Sequence, residues 1–164
     1  MLLKTNGSSS NLGSTLLWLY GMLGKNAPGR WLFSRIVGWM APYSGSIRAT
    51  VADLQPRYAV VRMADRRRVS NHLNSVHAMA LANLGEMTTG LALVAALPDG
   101  TRAILVDYSI HYVKKARGTI SASAITNEEL VPRQEPYLVR CHIRNKNEEL
   151  VAKVEAHWLV SRVA

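Results

Sequence analysis

The clearest pattern in the chain is a two-residue alternation near its C-terminal end. From Val151 onward, Ala152, Val154, Ala156, Trp158 and Val160 point one way while Lys153, Glu155 and His157 point the other, as in a strand with one buried face. Tyr137, Val139, Cys141 and Ile143 repeat the pattern against Arg140, His142 and Arg144, and Asn145-Lys146-Asn147-Glu148 between the two runs has the chemistry of a hairpin turn. Two further strands are predicted over 102–113 and 119–126, the first opened by Pro98-Asp99-Gly100, with Lys114-Lys115-Ala116-Arg117-Gly118 between them. Upstream, 47–54 and 57–63 read as β-rich segments joined across Gln55-Pro56.

The middle of the chain is different. Residues 76–97 hold few β-branched side chains, are rich in Ala, Leu and Met, and are apolar nearly all round, which predicts a buried helix about 33 Å long. The order is therefore two strands, a long buried helix and about four antiparallel strands. An α+β fold, with one antiparallel sheet curled round a single central helix, satisfies it.

Ahead of the sheet, 15–23 and 30–40 are apolar and are separated by Asn26-Ala27-Pro28-Gly29, a strong turn signal. Both are predicted as short helices packed on the domain, with Leu32, Ile36, Trp39 and Met40 of the second sharing a face. Attachment to a membrane surface is the alternative, because Lys25, Arg30 and Arg35 stand beside Trp and Leu. Residues 1–14 are polar and rich in Gly and Ser, so they are expected to stay unstructured. The chain divides into a tail and helical extension, 1–44, and a main domain, 45–164.

Composition narrows the partners. At 164 residues there is room for one well-cored domain, and a charged fraction of only 19% points to surface buried between subunits. The net charge of +9 favours an anionic partner, but the bases are scattered and no nucleic-acid reading motif is present. A single cysteine, Cys141, excludes an intrachain disulfide framework and a Cys-based zinc site. The lone cysteine fits a reducing compartment, so a cytoplasmic protein is expected, and the apolar run 16–23 is shorter than a membrane span, so no stable membrane insertion is expected. His72, His111, His142 and His157 lack metal-ligand spacing, and Ser75 lies outside any G-x-S-x-G context; neither a metal nor a serine triad is expected.

The stretch Asn71-His72-Leu73-Asn74-Ser75-Val76-His77-Ala78-Met79-Ala80-Leu81-Ala82-Asn83-Leu84-Gly85-Glu86 resembles the signature of PaaI-type hotdog acyl-CoA thioesterases. That signature reads N-x-x-G-x-x-H-G-G with an acidic residue nine positions after the histidine. Both spacings hold, with Asn74, Ala78 and Met79 at the glycine positions. The resemblance continues through Val106-Asp107-Tyr108-Ser109-Ile110-His111-Tyr112, and is nearest to a branch with an N-terminal helical extension and Glu at the acid position. It implies a hotdog fold, a dimer or tetramer, and hydrolysis of an acyl-CoA. The alternative is a non-catalytic acyl-CoA or fatty-acyl binding protein. No cofactor is implied beyond the coenzyme A of the substrate.

The candidate residues have distinct chemistry. Glu86 is the only charged residue between His77 and Leu97, so burial should raise its pKa, as suits a base; an ion pair to an Arg or His of the sheet is the other reading. The helix start at His77 and Ala78 offers free N–H groups to a polarised carbonyl. Asn71 would orient the water or carbonyl through its amide, or cap its loop. His77 would act as a base or hold that loop. Asn74 and Met79 border the acyl path, and Lys114, Lys115 and Arg117 would clasp the phosphates of coenzyme A or lie solvated. Nine helical residues turn about 900° and rise about 13.5 Å, so Glu86 faces away from the helix start, and a site shared between two subunits is expected.

Overall fold

In the computed structural model, which describes residues 12–163, the alternating runs pair into one antiparallel sheet of six strands. The strands are β1 (Thr50–Gln55), β2 (Tyr58–Met63), β3 (Thr101–Tyr112), β4 (Ile120–Ile125), β5 (Tyr137–Arg144) and β6 (Leu150–Arg162). Their order across the sheet is β1-β2-β4-β5-β6-β3. Alternation sets which face is buried: Tyr137, Val139, Cys141 and Ile143 of β5 and Val154, Ala156, Trp158 and Val160 of β6 lie in the core. The β5–β6 turn forms as predicted, with Asn145 Oδ1 accepting from Asn147 N and Glu149 N and Glu148 in the left-handed region.

The helices are α1 (Leu12–Leu23), α2 (Ala27–Met40), the single turn α3 (Pro42–Gly45) and α4 (Ala78–Val94). The sheet wraps α4, whose residues 80–85 and most of 87–93 are buried, and this is the hotdog arrangement. Close approach fixes its small residues: a Cβ on Gly85 would lie 2.7 Å from Val154 Cγ2 and 2.8 Å from Tyr108 Oη. At 17 residues α4 is shorter than the predicted 76–97. Val76 bridges Ser70 and His77 is extended, because the His77 side chain caps the helix and sets its first turn at Ala78.

The extension differs from expectation in detail. Residues 12–14, expected to be unstructured, open α1, while residues 1–11 of that expectation lie outside the described residues. The second helix starts earlier than predicted, since Asn26 Oδ1 accepts from Gly29 N and Pro28 sits in the first turn. Its buried face is Phe33, Ser34 and Val37. Leu32, Trp39 and Met40, predicted to share the packed face with Ile36, are exposed. The helix's polar residues do not mark the outer stripe, because Ser34 and Arg35 turn inward to hydrogen-bond Val51 N and Ala49 O.

The two edges of the sheet are treated differently. At β1, Ser34 Oγ accepts from Val51 N at 2.8 Å, Tyr20 Oη donates to Ala52 O at 2.7 Å, and Arg35 Nη2 donates to Ala49 O at 2.9 Å. The extension thus covers the start of that edge, residues 49–52. Among the described residues no strand pairs with the outer edge of β3, which runs 12 residues and exposes Ile104 and Val106 beside a bulge between Leu105 and Asp107.

Candidate active site

The loop before α4 is fixed by one side chain. Asn71 Oδ1 accepts from Leu73 N at 2.9 Å, Ser75 N at 3.3 Å and Ser75 Oγ at 3.1 Å. A backbone N–H only donates, so the oxygen faces the loop and the Nδ2 group is left to donate outward. Asn74 takes the left-handed conformation (φ 52°) that suits asparagine at the signature's first glycine. Its carbonyl accepts from Arg117 Nε at 2.9 Å, and Val76 N donates to Ala116 O at 2.8 Å, which ties the loop to the β3–β4 link.

His77 is the N-cap of α4. Its Nδ1 accepts from Met79 N at 3.0 Å, and its carbonyl accepts from Ala80 N and Leu81 N. Of the first four amides of the helix, only Ala78 N–H has no partner among the described residues. Two tyrosines of β3 clamp this end, Tyr112 Oη donating to Ala78 O at 2.9 Å and Tyr108 Oη to Ala82 O at 2.7 Å.

Glu86 lies half-buried farther along α4. Its Oε2 accepts from Ser44 Oγ of α3 at 3.2 Å, and it has no ion-pair partner among the described residues. Burial pushes its carboxyl above the ordinary carboxylate range, and the Ser44 hydrogen bond draws it partway back. It borders an apolar cavity of about 250 Å³ between the extension and α4, lined by Leu16, Val37, Met40, Met87, Leu91 and Trp158 among others. On its other side, Glu86 shares a hollow of about 410 Å³ with Met79, Asn83, Leu105 and Tyr108. There Asn83 Nδ2 donates to Tyr43 O at 3.1 Å while its buried Oδ1 has no partner among the described residues.

Asn71, Ala78, Lys114 and Lys115 meet in a third hollow, of about 280 Å³, against Tyr112 and Val113. The structure thus brings Asn71 to Ala78 and the basic turn, and Met79 to Glu86. It does not bring Glu86 to Asn71 within one chain. The basic turn is less free than its sequence surroundings suggested, because Lys114 Nζ pairs with Glu149 Oε1 at 2.8 Å and Arg117 is held by Asn74. Lys115 is the exposed cation of the three without such a contact among the described residues. Burial pushes the Cys141 thiol up to about 12 inside the core, so it is no nucleophile at neutral pH. Sequence reasoning missed Ser44, Asn83, Tyr108 and Tyr112. Only Asn83 left a signal, as a lone amide three residues before Glu86 on the same helix face.

The family described as "Domain of unknown function (DUF4442)" matches residues 29–160. The chain belongs to that family. No curated protein matches this DUF4442 chain. Among solved structures, the structural-genomics protein APC5556 is 29% identical with a TM-score of 0.79, over 91% of this chain and 99% of its own. Thioesterase HI1161 from Haemophilus influenzae is 15% identical with a TM-score of 0.65, over 99% of this chain and 96% of its own. The protein smu.793 from Streptococcus mutans UA159, solved bound to acetyl CoA, is 17% identical with a TM-score of 0.61, over 70% of this chain and 89% of its own. The DUF4442 fold seen here is that of the hotdog thioesterases.

Proposed function

We propose that the protein is an acyl-CoA thioesterase whose active site forms between two copies of the chain. The observation that carries this is Glu86: a half-buried carboxylate, raised in pKa and without a cationic partner among the described residues, standing at the wall of an apolar cavity. A structural ion pair would have lowered its pKa and filled its oxygens. Raised by burial, it suits a general base. Glu86 takes a proton from water as the water oxygen attacks the thioester carbonyl. The charge that develops on the carbonyl oxygen is met by Ala78 N–H and Asn71 Nδ2, and collapse of the adduct breaks the C–S bond and expels coenzyme A as a thiolate, which takes up the proton held by Glu86. The acyl chain occupies the cavity behind Glu86, and Lys115 is the cation of the basic turn that, among the described residues, has no ion pair or hydrogen bond and can meet phosphate.

The open edge of β3 supports the shared site. Both half-sites lie along it, the Glu86 hollow at Leu105 and Tyr108 and the Asn71 hollow at Tyr112 and Val113. Antiparallel pairing of two β3 edges centred between Tyr108 and Ser109 sets Leu105 of one copy opposite Tyr112 of the other, and so Glu86 of one toward Asn71 and Ala78 of the other. A relative of the same fold holding acetyl CoA agrees with the substrate class. The test is Glu86→Gln, which keeps size and hydrogen bonding. Turnover of an acyl-CoA, followed by thiol trapping, should fall by at least about 10²-fold with assembly intact. Unchanged turnover would remove Glu86 from the mechanism and leave the acyl-binding reading.

A further inference from the structure

Three of the four tryptophans stand on the outside of the helical extension: Trp18, Trp31 and Trp39 are 65%, 58% and 82% exposed. Met22, Leu32 and Tyr43 are exposed beside them. Residues 1–52 contain no acid at all, whereas Lys4, Lys25, Arg30, Arg35 and Arg48 are basic. Along α2, Trp31, Arg35 and Trp39 are each one turn apart, so their side chains are neighbours on one row.

Arg35 also belongs to a cluster of like charges. Burial and then the nearby Arg48 and Arg66 push its guanidinium below its ordinary range, and burial, Arg48 and Arg68 do the same to Arg66. None of these four forms an ion pair among the described residues. Arg35 donates to Ala49 O and Arg66 to Ile47 O, both uncharged. The neighbouring carboxylate Asp65 accepts instead from Ser70 Oγ and Gly118 N. Arginines held together without a counter-charge await an anion.

The apolar row decides which anion. A phosphate in solution or a nucleic-acid strand would answer the arginines but leave Trp39 in water. A second copy docking through the same face would set an acid-free, basic surface against itself. Tryptophans and leucines flanked by cations fit the boundary of a bilayer, where rings enter the headgroup layer and arginines meet lipid phosphates.

We propose that the outer face of α1 and α2, with Arg35, Arg48, Arg66 and Arg68 at its margin, docks on the surface of an anionic bilayer. Docking is peripheral: among the described residues no helix is long and apolar enough to cross a membrane. The cavity beside Glu86 lies between these same helices and α4, so a docked enzyme holds it close to the source of long acyl chains. That consequence rests on the thioesterase reading; the docking itself does not.

The experiment floats the full chain with vesicles of phosphatidylcholine alone and of phosphatidylcholine mixed with phosphatidylglycerol. The mixed vesicles should carry the protein, less so as salt rises, with a blue shift of tryptophan emission. Trp31→Gln with Trp39→Gln should abolish flotation and the shift, while hydrolysis of a soluble short-chain acyl-CoA stays unchanged. Lys25→Gln and Arg48→Gln should each weaken vesicle binding by about fivefold. Failure to float with the mixed vesicles, or equal flotation with neutral ones, overturns the proposal. So does a smaller assembly of the double tryptophan variant by analytical ultracentrifugation, which would give the face to a second copy. Vesicle binding is read without turnover, so a chain that hydrolyses acyl-CoA but ignores vesicles refutes docking alone, and one that binds vesicles without hydrolysis refutes the thioesterase reading alone.

Discussion

Burial and the Ser44 hydroxyl act on the Glu86 carboxyl in opposite directions, and each can be removed separately. Ser44→Ala deletes the hydrogen bond that lowers the pKa and leaves the burial that raises it. The acid limb of kcat/KM against pH reports the free enzyme's base, so in Ser44→Ala it should move to higher pH. A limb that stays in place would mean that Ser44 does not touch the base in the assembled enzyme. Stability carries the same information with a definite sign. Because the folded pKa lies above the ordinary 4.5, the native state holds this proton more tightly than the unfolded chain. The stabilisation from that proton is complete below 4.5 and is lost as pH rises through the folded pKa. Glu86→Gln has no charge to bury, so it should melt higher than wild type at neutral pH. The gain should shrink on acidification and vanish below 4.5, as thermal unfolding across a pH series would read. A constant difference at every pH would assign it to packing.

At the scale of elements, the extension is what covers the start of the β1 edge. Val51 N–H is fully buried and its partner is the hydroxyl of Ser34, itself 1% exposed. Ser34→Ala strands that donor, which should cost about 1–3 kcal/mol in urea unfolding; a cost near zero would show that α2 shifts to admit water. The strands and the central helix were legible because alternation and all-round apolarity are local patterns, and burial along β5 and β6 follows them residue by residue. The loop of Asn71 was legible through its motif, down to the left-handed Asn74. What was not legible depends on distant partners. Ser44 reaches Glu86 across 42 positions and Glu149 reaches Lys114 across 35. No local pattern encodes that α3 sits over α4 or that the β5–β6 hairpin bends toward the basic turn. The packed stripe of α2 was hidden for a related reason: Ser34 and Arg35, polar in sequence, turn inward to Val51 N and Ala49 O, 17 and 14 positions away.

For the whole molecule, the unequal edges and the divided site point to one arrangement. A 12-residue strand with a free edge is a template for pairing unless something covers it, and among the described residues only the opposite edge is covered. A charged fraction of 19% fits a molecule with part of its surface buried against another copy. If two β3 edges pair about a two-fold axis, each dimer holds two sites, each taking Glu86 from one copy and Asn71 and Ala78 from the other. Chains carrying Glu86→Gln and chains carrying Asn71→Ala should each be nearly inactive alone. In a mixed dimer, one site receives both damaged residues and the other receives neither. Purified heterodimers, isolated with two different tags, should therefore recover about half of wild-type kcat, and a random one-to-one refolded mixture about a quarter, since half of its dimers are mixed. The KM of the recovered activity should match wild type, because the surviving site is complete. If each site lay within one chain, every site in the heterodimer would lack one group. A verified heterodimer no more active than its parents would then place Glu86 and Asn71 in separate roles and dissolve the shared site.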